Sequence, residues 1–245
     1  MGTVVNVDAT DDPYAEDKNK LIGVLDHGFV RLVDYMGSDL SIVRAARVSY
    51  DAEWRTGEDE GKDAKLIAYL WKHRHTSPFE AVEFQWEIKC PIFIARQWHR
   101  HRTQSYNEVS ARYTELPEEF YLPELEQITT QSTGNKQMRT DQENANAGTI
   151  RYWILDHNEK AFSAYRRMLA LGCPREIARS VLPLGTYTRF FAKMNLRNLF
   201  HFLELRMHEH AQYEIRVYAN AMANLIRPIV PVAFKALMTE LFGDN

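Results

Sequence analysis

The segment from Val82 to Cys90, VEFQWEIKC, alternates apolar and polar residues at every position. Successive side chains of a β-strand point to opposite faces, so this alternation gives one apolar face and one polar face. An α-helix of the same sequence would scatter the apolar residues around its circumference. The segment therefore predicts a strand with one buried face, and any fold of this chain must build a sheet around it.

Helices and further strands are predicted on both sides of this strand. Pro91 ends it and suits the first turn of a helix in IFIARQWHRH, and the apolar residues of DAKLIAYLWKHRH recur at helical spacing. The stretches GFVRLVDYMG and LGTYTRFFAKM have the composition of strands. A single long amphipathic helix is predicted from Asn195 to about Ile226, closed by Pro228. The prediction is one α+β domain with a small mixed or antiparallel sheet flanked by helices, including one long C-terminal helix.

The boundaries within the chain follow from its composition. Residues 1–20 are polar and are predicted to form an N-terminal segment, and residues 21–245 are predicted to form the domain, with no linker inside it. The polar residues from about 126 to 150 are predicted to form a long loop or a partly mobile insertion. A helix is predicted to follow from about Asn158 to Leu171.

The composition disfavours several classes of protein. No apolar run is long enough to span a membrane, and the start of the chain lacks the basic and apolar parts of a secretory signal. Two cysteines, Cys90 and Cys173, provide no disulfide framework, so a cytoplasmic location without a membrane partner is predicted. The net charge of -3 disfavours general binding to nucleic acids, which usually requires a basic protein.

A cation-rich stretch, RHRTQSYNEVSARY, follows the strand and its helix. It holds three arginines, whose guanidinium groups bind phosphate and carboxylate through paired hydrogen bonds. Ser110 and nearby backbone amides could complete a phosphate site, and Glu108 could orient the cations. The alternative is a solvated helix end whose arginines pair with Glu115, Glu118 and Glu119. The residues alone do not decide between these two interpretations.

Three other clusters are candidates for binding or catalysis. HRHTSPFE lies at a predicted turn between helix and strand, and PREIARSVL is predicted to put Glu176 and Arg179 on one helix face. The long predicted helix carries Arg206 and His210 one turn apart. Each cluster also has a structural interpretation: a cation at a helix end, an exposed ion pair, and the polar face of a core helix.

Metal binding and nucleophilic catalysis have weaker support. Three His-x-His pairs begin at His73, His99 and His208, but they fall in predicted helices or helix ends, where the two rings point apart. The sequence contains no zinc-protease or Cys/His ligand pattern, and no metal is predicted. Cys90 is predicted to lie on a buried strand face, and Cys173 has no adjacent base, so neither is predicted to be a nucleophile.

The cation-rich stretch resembles the signature of the flavin-dependent thymidylate synthases, the thymidylate synthase-complementing protein family. That signature is an Arg-His-Arg triplet, seven residues and a serine, which here are Arg100-His101-Arg102 and Ser110. Further segments resemble the family in the same order: SIVRAARVSYD, HRHTSPFE, PIFIARQW, NKQ at 135–137, PREIARSVLP and FLELRMHEHAQYEIR. The resemblance extends from about residue 24 to residue 235.

The resemblance implies an enzyme that converts dUMP to dTMP. In this family the carbon comes from 5,10-methylenetetrahydrofolate, and NADPH reduces FAD, which carries the hydride. No enzyme nucleophile is then needed, which agrees with the lack of a reactive cysteine. The resemblance also implies a homotetramer whose active sites lie between subunits.

The resemblance assigns roles to individual residues. Arg206 is predicted to be the catalytic residue, because a guanidinium at the uracil edge would stabilise the negative charge that develops on the ring. His75 is predicted to help position the folate. The predicted FAD-binding residues are Ser77, Arg100, His101, Arg102, Glu108, Asn195, Leu196, Arg197 and His201. The predicted dUMP-binding residues are Gln97, Trp98, His99, Arg100, Glu108, Val109, Ser110, Ala111, Arg112, Arg179 and Arg206.

Two other functions could use the same residues. A nucleic-acid-binding module would combine the arginines with stacking by Trp98, Tyr106 and Tyr113, and would bind polynucleotides in a salt-dependent manner without flavin. A histidine-ligated metal hydrolase would carry tightly bound zinc. The net charge and the ordered motifs argue against both, and no nucleic-acid partner is predicted.

Overall fold

A computed structural model describes residues 4–6 and 18–243 of the chain. Within these residues the strands are β1 (Val4–Asn6), β2 (Lys20–Val24), β3 (Gly28–Met36), β4 (Glu83–Pro91), β5 (Ser105–Glu108), β6 (Thr129–Gln131), β7 (Arg139–Glu143) and β8 (Tyr187–Asn195). The helices are α1 (Asp39–Arg47), α2 (Glu60–Lys72), α3 (Ile92–Trp98), α4 (Ala147–Ala170), α5 (Arg175–Ala178), α6 (Leu196–Arg206), α7 (Tyr213–Ile226) and α8 (Pro231–Phe242). The predicted α+β class is confirmed. None of the described helices is both long and apolar enough to cross a membrane.

The main sheet of the described chain has six antiparallel strands in the order β1-β2-β3-β4-β8-β5. β4, which carries the alternating pattern, lies inside the sheet between β3 and β8, and its apolar residues are almost fully buried. On its polar face Glu87 is also buried, because it pairs with Arg31 and Arg189 on the neighbouring strands. The predicted strand is therefore confirmed, and one position of its polar face is covered by ion pairs.

Helices cover the apolar face of the sheet. Trp98 of α3 lies 5.6 Å from Phe190 of β8 and 4.7 Å from Phe202 of α6, measured between ring centroids. Trp71 of α2 packs on Phe200 of α6 at 5.0 Å. Full burial of one large apolar side chain contributes about 2 kcal/mol relative to exposure. These rings therefore fix the positions of α3 and α6 over the sheet.

The predicted long C-terminal helix is divided in two. α6 ends at Arg206 and α7 begins at Tyr213, with residues 207–212 between them. The physical reason is helical phase: a helix turns about 100° per residue, so Leu203 and Ile215 would lie about 120° apart around one continuous helix. Both side chains are fully buried, and the break allows each helix to face the core. Arg206 consequently lies at a corner of the fold.

Residues 126–150 do not form the long loop that their composition predicts. β6 and β7 pair as a hairpin, and α4 already begins at Ala147, before the predicted start at Asn158. The hydroxyl groups of Thr130 and Thr140 lie 2.6 Å apart across the hairpin. Polar contacts hold these two strands together, so their sequence does not need the alternation of apolar residues that usually indicates a strand. The prediction of a loop was therefore wrong.

The predicted N-terminal segment, residues 1–20, lies mostly outside the described residues. Its described part includes β1, an edge strand in which Val5 is opposite Leu21 of β2. The boundary at residue 20 remains a prediction.

Candidate active site

The first residues of the cation-rich stretch, from Arg100 to Gln104, lie in the loop between α3 and β5. The hydroxyl of Tyr106 on β5 lies 2.9 Å from the carbonyl oxygen of His101 and 3.2 Å from that of Trp98. Burial raises the pKa of Tyr106, so its hydroxyl remains a donor at neutral pH. β5 in turn pairs with β8, with Glu108 opposite Phe190. The loop is therefore anchored to the sheet.

His101 and Arg206, both predicted site residues, are in direct contact. Nε of Arg206 donates a hydrogen bond of 3.0 Å to Nε2 of His101. Because Nε2 accepts this bond, the imidazole is neutral and carries its proton on Nδ1. Burial, followed by the charges of Arg206 and His201, lowers the pKa of His101 from 6.5 to about 4. The pair joins the cation-rich loop to the end of α6.

The start of α6 meets the same loop. Asn195 caps the helix by accepting a bond of 3.0 Å from the backbone N–H of Asn198, whose side chain donates to the backbone oxygen of Thr103 at 3.3 Å. Arg197 pairs with Glu80 in the short turn that follows α2. The turn, the loop and α6 therefore adjoin. Together they carry the predicted FAD-binding residues Ser77, Arg100, His101, Arg102, Asn195, Leu196, Arg197 and His201.

A cleft of about 360 Å³ lies at the far end of β5. Predicted dUMP-binding residues line it: Glu108, Val109, Ser110, Ala111 and Arg179. The hydroxyl of Thr188 on β8 donates a hydrogen bond of 2.6 Å to Glu108, which holds the carboxylate at the wall of the cleft. A guanidinium and a hydroxyl beside backbone amides are groups that bind phosphate.

Arg112 lies next to this cleft. Its backbone N–H donates to the hydroxyl of Ser110 at 3.3 Å, and its Nε is 3.5 Å from a carboxylate oxygen of Glu176. Both charged side chains of this pair are more than half exposed, so the pair contributes little stability and the guanidinium can turn to another anion.

The alternative interpretation of the arginines, as partners of three nearby glutamates, is not supported. Those glutamates have other partners among the described residues: Glu115 with Arg175, Glu118 with Arg166 and Glu119 with Lys89. Arg100 and Arg102 are exposed at the loop. The side chains of Arg100 and Arg102 are therefore accessible to a ligand.

Two predicted contact residues belong to the core. The side chains of Trp98 and Leu196 are fully buried, so only their backbone atoms could face a ligand.

The ring of His99, another predicted dUMP contact, packs on Tyr106 at 4.6 Å and on Phe190 at 5.2 Å. Within the described chain its buried Nε2 has no hydrogen-bond partner. A buried nitrogen of this kind suits a polar group of a ligand.

His75, the predicted folate contact, is exposed after the end of α2. Its ring lies 6.1 Å from that of Tyr69, which stacks on His73 at 4.1 Å. These rings form an exposed aromatic surface beside the turn that contains Ser77.

Comparison with known proteins shows which family this chain belongs to. The family model described as thymidylate synthase complementing protein matches residues 31–232. The chain belongs to the thymidylate synthase complementing protein family. The resemblance that the motifs predict is therefore confirmed over most of the chain.

Individual members of the family are similar over nearly the whole chain. A flavin-dependent thymidylate synthase of Thermus thermophilus is 51% identical over 229 residues, which cover 90% of this chain and 79% of that protein. Another, of Wolbachia pipientis, is 48% identical over 216 residues, 88% of this chain and 75% of that one. The crystal structure of a UMP/dUMP methylase, PolB from Streptomyces cacaoi bound with 5-Br dUMP, is 36% identical with a TM-score of 0.81. It covers 91% of this chain and 98% of its own.

Of the two cysteines of this member of the family, Cys90 is not placed as a nucleophile. Cys90 is fully buried on β4, and burial raises the pKa of its thiol well above the ordinary value. Sγ of Cys173 lies 3.7 Å from the carbonyl oxygen of Pro174. A nucleophilic cysteine requires a lowered pKa, which Cys90 does not have.

Two of the three His-x-His pairs make ring contacts, although the sequence predicts that the rings of each pair point apart. The rings of His208 and His210 stack at 4.8 Å, and those of His73 and His75 lie 6.4 Å apart. Across residues 4–6 and 18–243, no three His, Cys, Asp or Glu side chains come close enough together to hold a metal ion.

Reasoning from the sequence missed three polar residues that support the site. Thr188 donates to Glu108, and Gln212 and Glu214 form a chain of hydrogen bonds that reaches Gln97. The motif HAQYEIR contained a signal for Glu214 alone, because this acidic residue directly precedes the apolar Ile215, which is buried in the same helix. A charged residue at such a position needs partners.

Proposed function

We propose that this chain is a flavin-dependent thymidylate synthase that converts dUMP to dTMP in de novo dTMP biosynthesis. The methyl carbon comes from 5,10-methylenetetrahydrofolate and the electrons come from NADPH, so that tetrahydrofolate and NADP⁺ are the other products. The observation that carries this proposal is the contact between His101 in the family signature and Arg206 at the end of α6. The curated relatives bear the name of this activity.

Arg206 is the catalytic residue of the proposed reaction. Its guanidinium faces the edge of the uracil ring and stabilises the negative charge that develops as the ring is activated. His101 supports this role, because it accepts from Nε and leaves the two terminal nitrogens of Arg206 for the substrate. Burial lowers the pKa of Arg206, although a guanidinium remains charged at neutral pH, and a partly dry site strengthens its electrostatic effect.

The cleft at the end of β5 receives the phosphate of dUMP. Ser110, Arg112 and Arg179 provide hydrogen-bond donors for it, and Glu108 can accept from a sugar hydroxyl. The other dUMP contacts of the proposal are Val109 and Ala111, which line the same cleft, and Gln97, Trp98, His99 and Arg100 of α3 and the loop that follows it.

The flavin is FAD, and the residues at the start of α6 fit it. The exposed guanidinium groups of Arg100, Arg102 and Arg197, together with the first N–H groups of α6, are donors that suit two linked phosphates. When bound and reduced, the flavin supplies the hydride for the methyl group. The remaining FAD contacts of the proposal are Ser77, His101, Glu108, Asn195, Leu196 and His201.

The proposal also includes folate, NADPH and other copies of the chain. His75 helps to position the folate, and its exposed ring beside Tyr69 can pack against a flat heterocycle. The enzyme acts in the cytoplasm as a homotetramer with shared active sites. Tyr152 and Trp153 on α4 are 61% and 64% exposed, which supports burial in an assembly.

The visible absorption spectrum of the purified protein, recorded during anaerobic addition of NADPH with dUMP present, tests this proposal. We expect a flavin spectrum that bleaches, and a sample without NADPH is the control. Absence of a flavin band, even after incubation with FAD and gel filtration, would contradict the proposed function.

A further inference from the structure

A buried carboxylate anchors the corner between α6 and α7. Glu214, in the first turn of α7, is 3% exposed. Its Oε1 accepts hydrogen bonds from Arg139 at 3.0 Å and from the hydroxyl of Tyr121 at 3.2 Å. Its Oε2 accepts a hydrogen bond of 2.8 Å from Nε2 of Gln212. Glu214 is therefore a charged group with three donors around it.

The hydrogen bonds continue from Gln212 to Gln97, a predicted dUMP contact. Oε1 of Gln212 accepts a hydrogen bond from Nε2 of Gln97. A carboxylate that is paired with a guanidinium can only accept hydrogen bonds. Gln212 must therefore donate to Glu214 from its nitrogen and accept from Gln97 at its oxygen. Gln97 must then use its nitrogen for Gln212, which leaves its oxygen Oε1 for another partner. The charge of Glu214 thus decides the orientation of both amides.

We propose that Glu214 is a positioning residue which, through Gln212, holds the amide of Gln97 with Oε1 directed to dUMP as a hydrogen-bond acceptor. This inference rests on the proposed function. The matching donor is N3–H of the uracil ring or the 3′-hydroxyl of the sugar. An unrestrained glutamine amide can rotate and present its NH₂ group, which cannot pair with N3–H of the uracil ring and which the 3′-hydroxyl could bind only as an acceptor.

The hairpin of β6 and β7 keeps this carboxylate in place. Arg139 of β7 donates to the backbone oxygen of Gln127 at 2.9 Å as well as to Glu214, and its guanidinium lies 5.3 Å from the ring centre of Tyr213. Burial and the charge of Glu214 raise the pKa of Tyr121, so the Tyr121 hydroxyl remains a donor. The hairpin, for which the sequence suggests no role, thereby supports a substrate contact.

The proposal can be tested by two substitutions in the hydrogen-bonded chain that joins Glu214, Gln212 and Gln97. Gln212→Leu breaks this chain at an exposed side chain, and Glu214→Gln replaces a group that can only accept hydrogen bonds by an amide. Each is expected to raise the Kd and KM for dUMP roughly three- to tenfold, the usual contribution of one hydrogen bond, with kcat changed by less than about twofold. Glu209→Gln, the same chemical change on a side chain that is 81% exposed in the same corner, is the control and should leave the Kd for dUMP unchanged.

A double-mutant cycle separates positioning from a general structural effect. If Gln212 and Glu214 act through Gln97, adding either substitution to Gln97→Leu should change the Kd for dUMP by less than about twofold further. The proposal would be overturned if the fold-changes in the Kd for dUMP multiplied in the double variants, or if the single variants bound dUMP like the wild type. A dUMP analogue without N3–H and one without the 3′-hydroxyl identify the donor, because only the relevant analogue binds equally to wild type and Gln97→Leu.

The result can be separated from a failure of the proposed function. A wild-type protein that neither binds dUMP nor forms dTMP contradicts the function itself. A wild-type protein that does both, with variants whose effects multiply, contradicts only the positioning role. If Glu214→Gln loses its flavin or its circular-dichroism signal, the test of the positioning role rests on Gln212→Leu. The side chain of Gln212 is exposed, so its replacement should leave the fold intact.

Discussion

The contact between Arg206 and His101 determines what each of these residues can do. Two adjacent cations would repel each other, and burial keeps the pKa of His101 at about 4, so only the guanidinium is charged at neutral pH. The neutral ring orients Arg206 through its Nε without competing with it for an anion. A single pair thus provides a fixed cation at the end of α6.

We expect Arg206→Ala to reduce dTMP formation by at least roughly 100-fold, as for the loss of a group that stabilises charge in the transition state. FAD should remain bound, because the phosphate donors at the start of α6 are unchanged. Chromatography of the nucleotide product and the flavin absorbance measure the two effects. Arg227→Ala, an exposed arginine directly after α7, is the control. Wild-type turnover by Arg206→Ala would rule out the catalytic role.

The low pKa of His101 predicts a pH dependence of stability. Between pH 6.5 and about 4, the unfolded chain protonates this histidine and the folded chain does not, so the free energy of unfolding falls as the pH falls through this range. For one proton the slope is at most about 1.4 kcal/mol per pH unit. Denaturant unfolding at pH 7 and pH 5 should show a smaller pH effect in His101→Gln than in the wild type. Equal pH effects in both proteins would contradict the assignment.

Motifs in the sequence predict which residues form the candidate site, but they do not show how the side chains point. Trp98 lies within a family motif, yet its ring is in the core because α3 packs that face on the sheet. Gln212 and Glu214 also lie within a motif. Their role depends on Gln97, 115 residues from Gln212, and on Arg139, 75 residues from Glu214. Local patterns contain no information about such distant contacts.

Among the elements, α6 connects both ends of the candidate site. Its start carries the Asn195 cap and Arg197, and its end carries Arg206. The aromatic packing of Phe202 on Trp98 holds the helix over the sheet between these ends. A shift of α6 would therefore alter the proposed flavin contacts and the proposed substrate contacts together.

We expect Asn195→Ala to lower the free energy of unfolding by about 1 kcal/mol, the usual effect of losing a helix cap, and also to weaken FAD binding. Asn195→Asp keeps an acceptor for the backbone N–H of Asn198 and should retain the stability. Asp59→Ala removes the cap of α2, which accepts from Lys62, and should lower stability without a loss of FAD affinity. Denaturant unfolding and flavin titration measure both quantities. Equal FAD affinities of Asn195→Ala and Asp59→Ala would contradict a flavin site at the start of α6.

The success of prediction differed between elements for physical reasons. The central strand was predictable because burial on one face imposes a strict alternation. The break between α6 and α7 was missed, although the phase difference between Leu203 and Ile215 is present in the sequence. The hairpin of β6 and β7 was missed because hydroxyl and guanidinium contacts hold it, and these leave no periodic pattern.

In the whole molecule, one face of the sheet is packed by helices, and large apolar side chains remain exposed elsewhere. Tyr152 and Trp153 project from α4, and Leu171 follows the same helix. Exposed apolar groups of this size mark surfaces for association. They agree with the proposed homotetramer.

Light scattering of the purified protein should give a mass four times the chain mass of 28.6 kDa. Association is expected because it removes exposed apolar surface from water. The measurement should be made at the concentration of the activity assay. A mass equal to one chain in a sample with full activity would contradict shared active sites.

The most direct test of the central claim is the fate of dUMP in one turnover. Purified protein with bound flavin is mixed anaerobically with NADPH, dUMP and 5,10-methylenetetrahydrofolate, and the nucleotides are separated by chromatography. The account predicts that dUMP is converted to dTMP, and that omission of either NADPH or the folate prevents the conversion. Unchanged dUMP in the complete mixture, with a flavin that NADPH has reduced, would contradict the account.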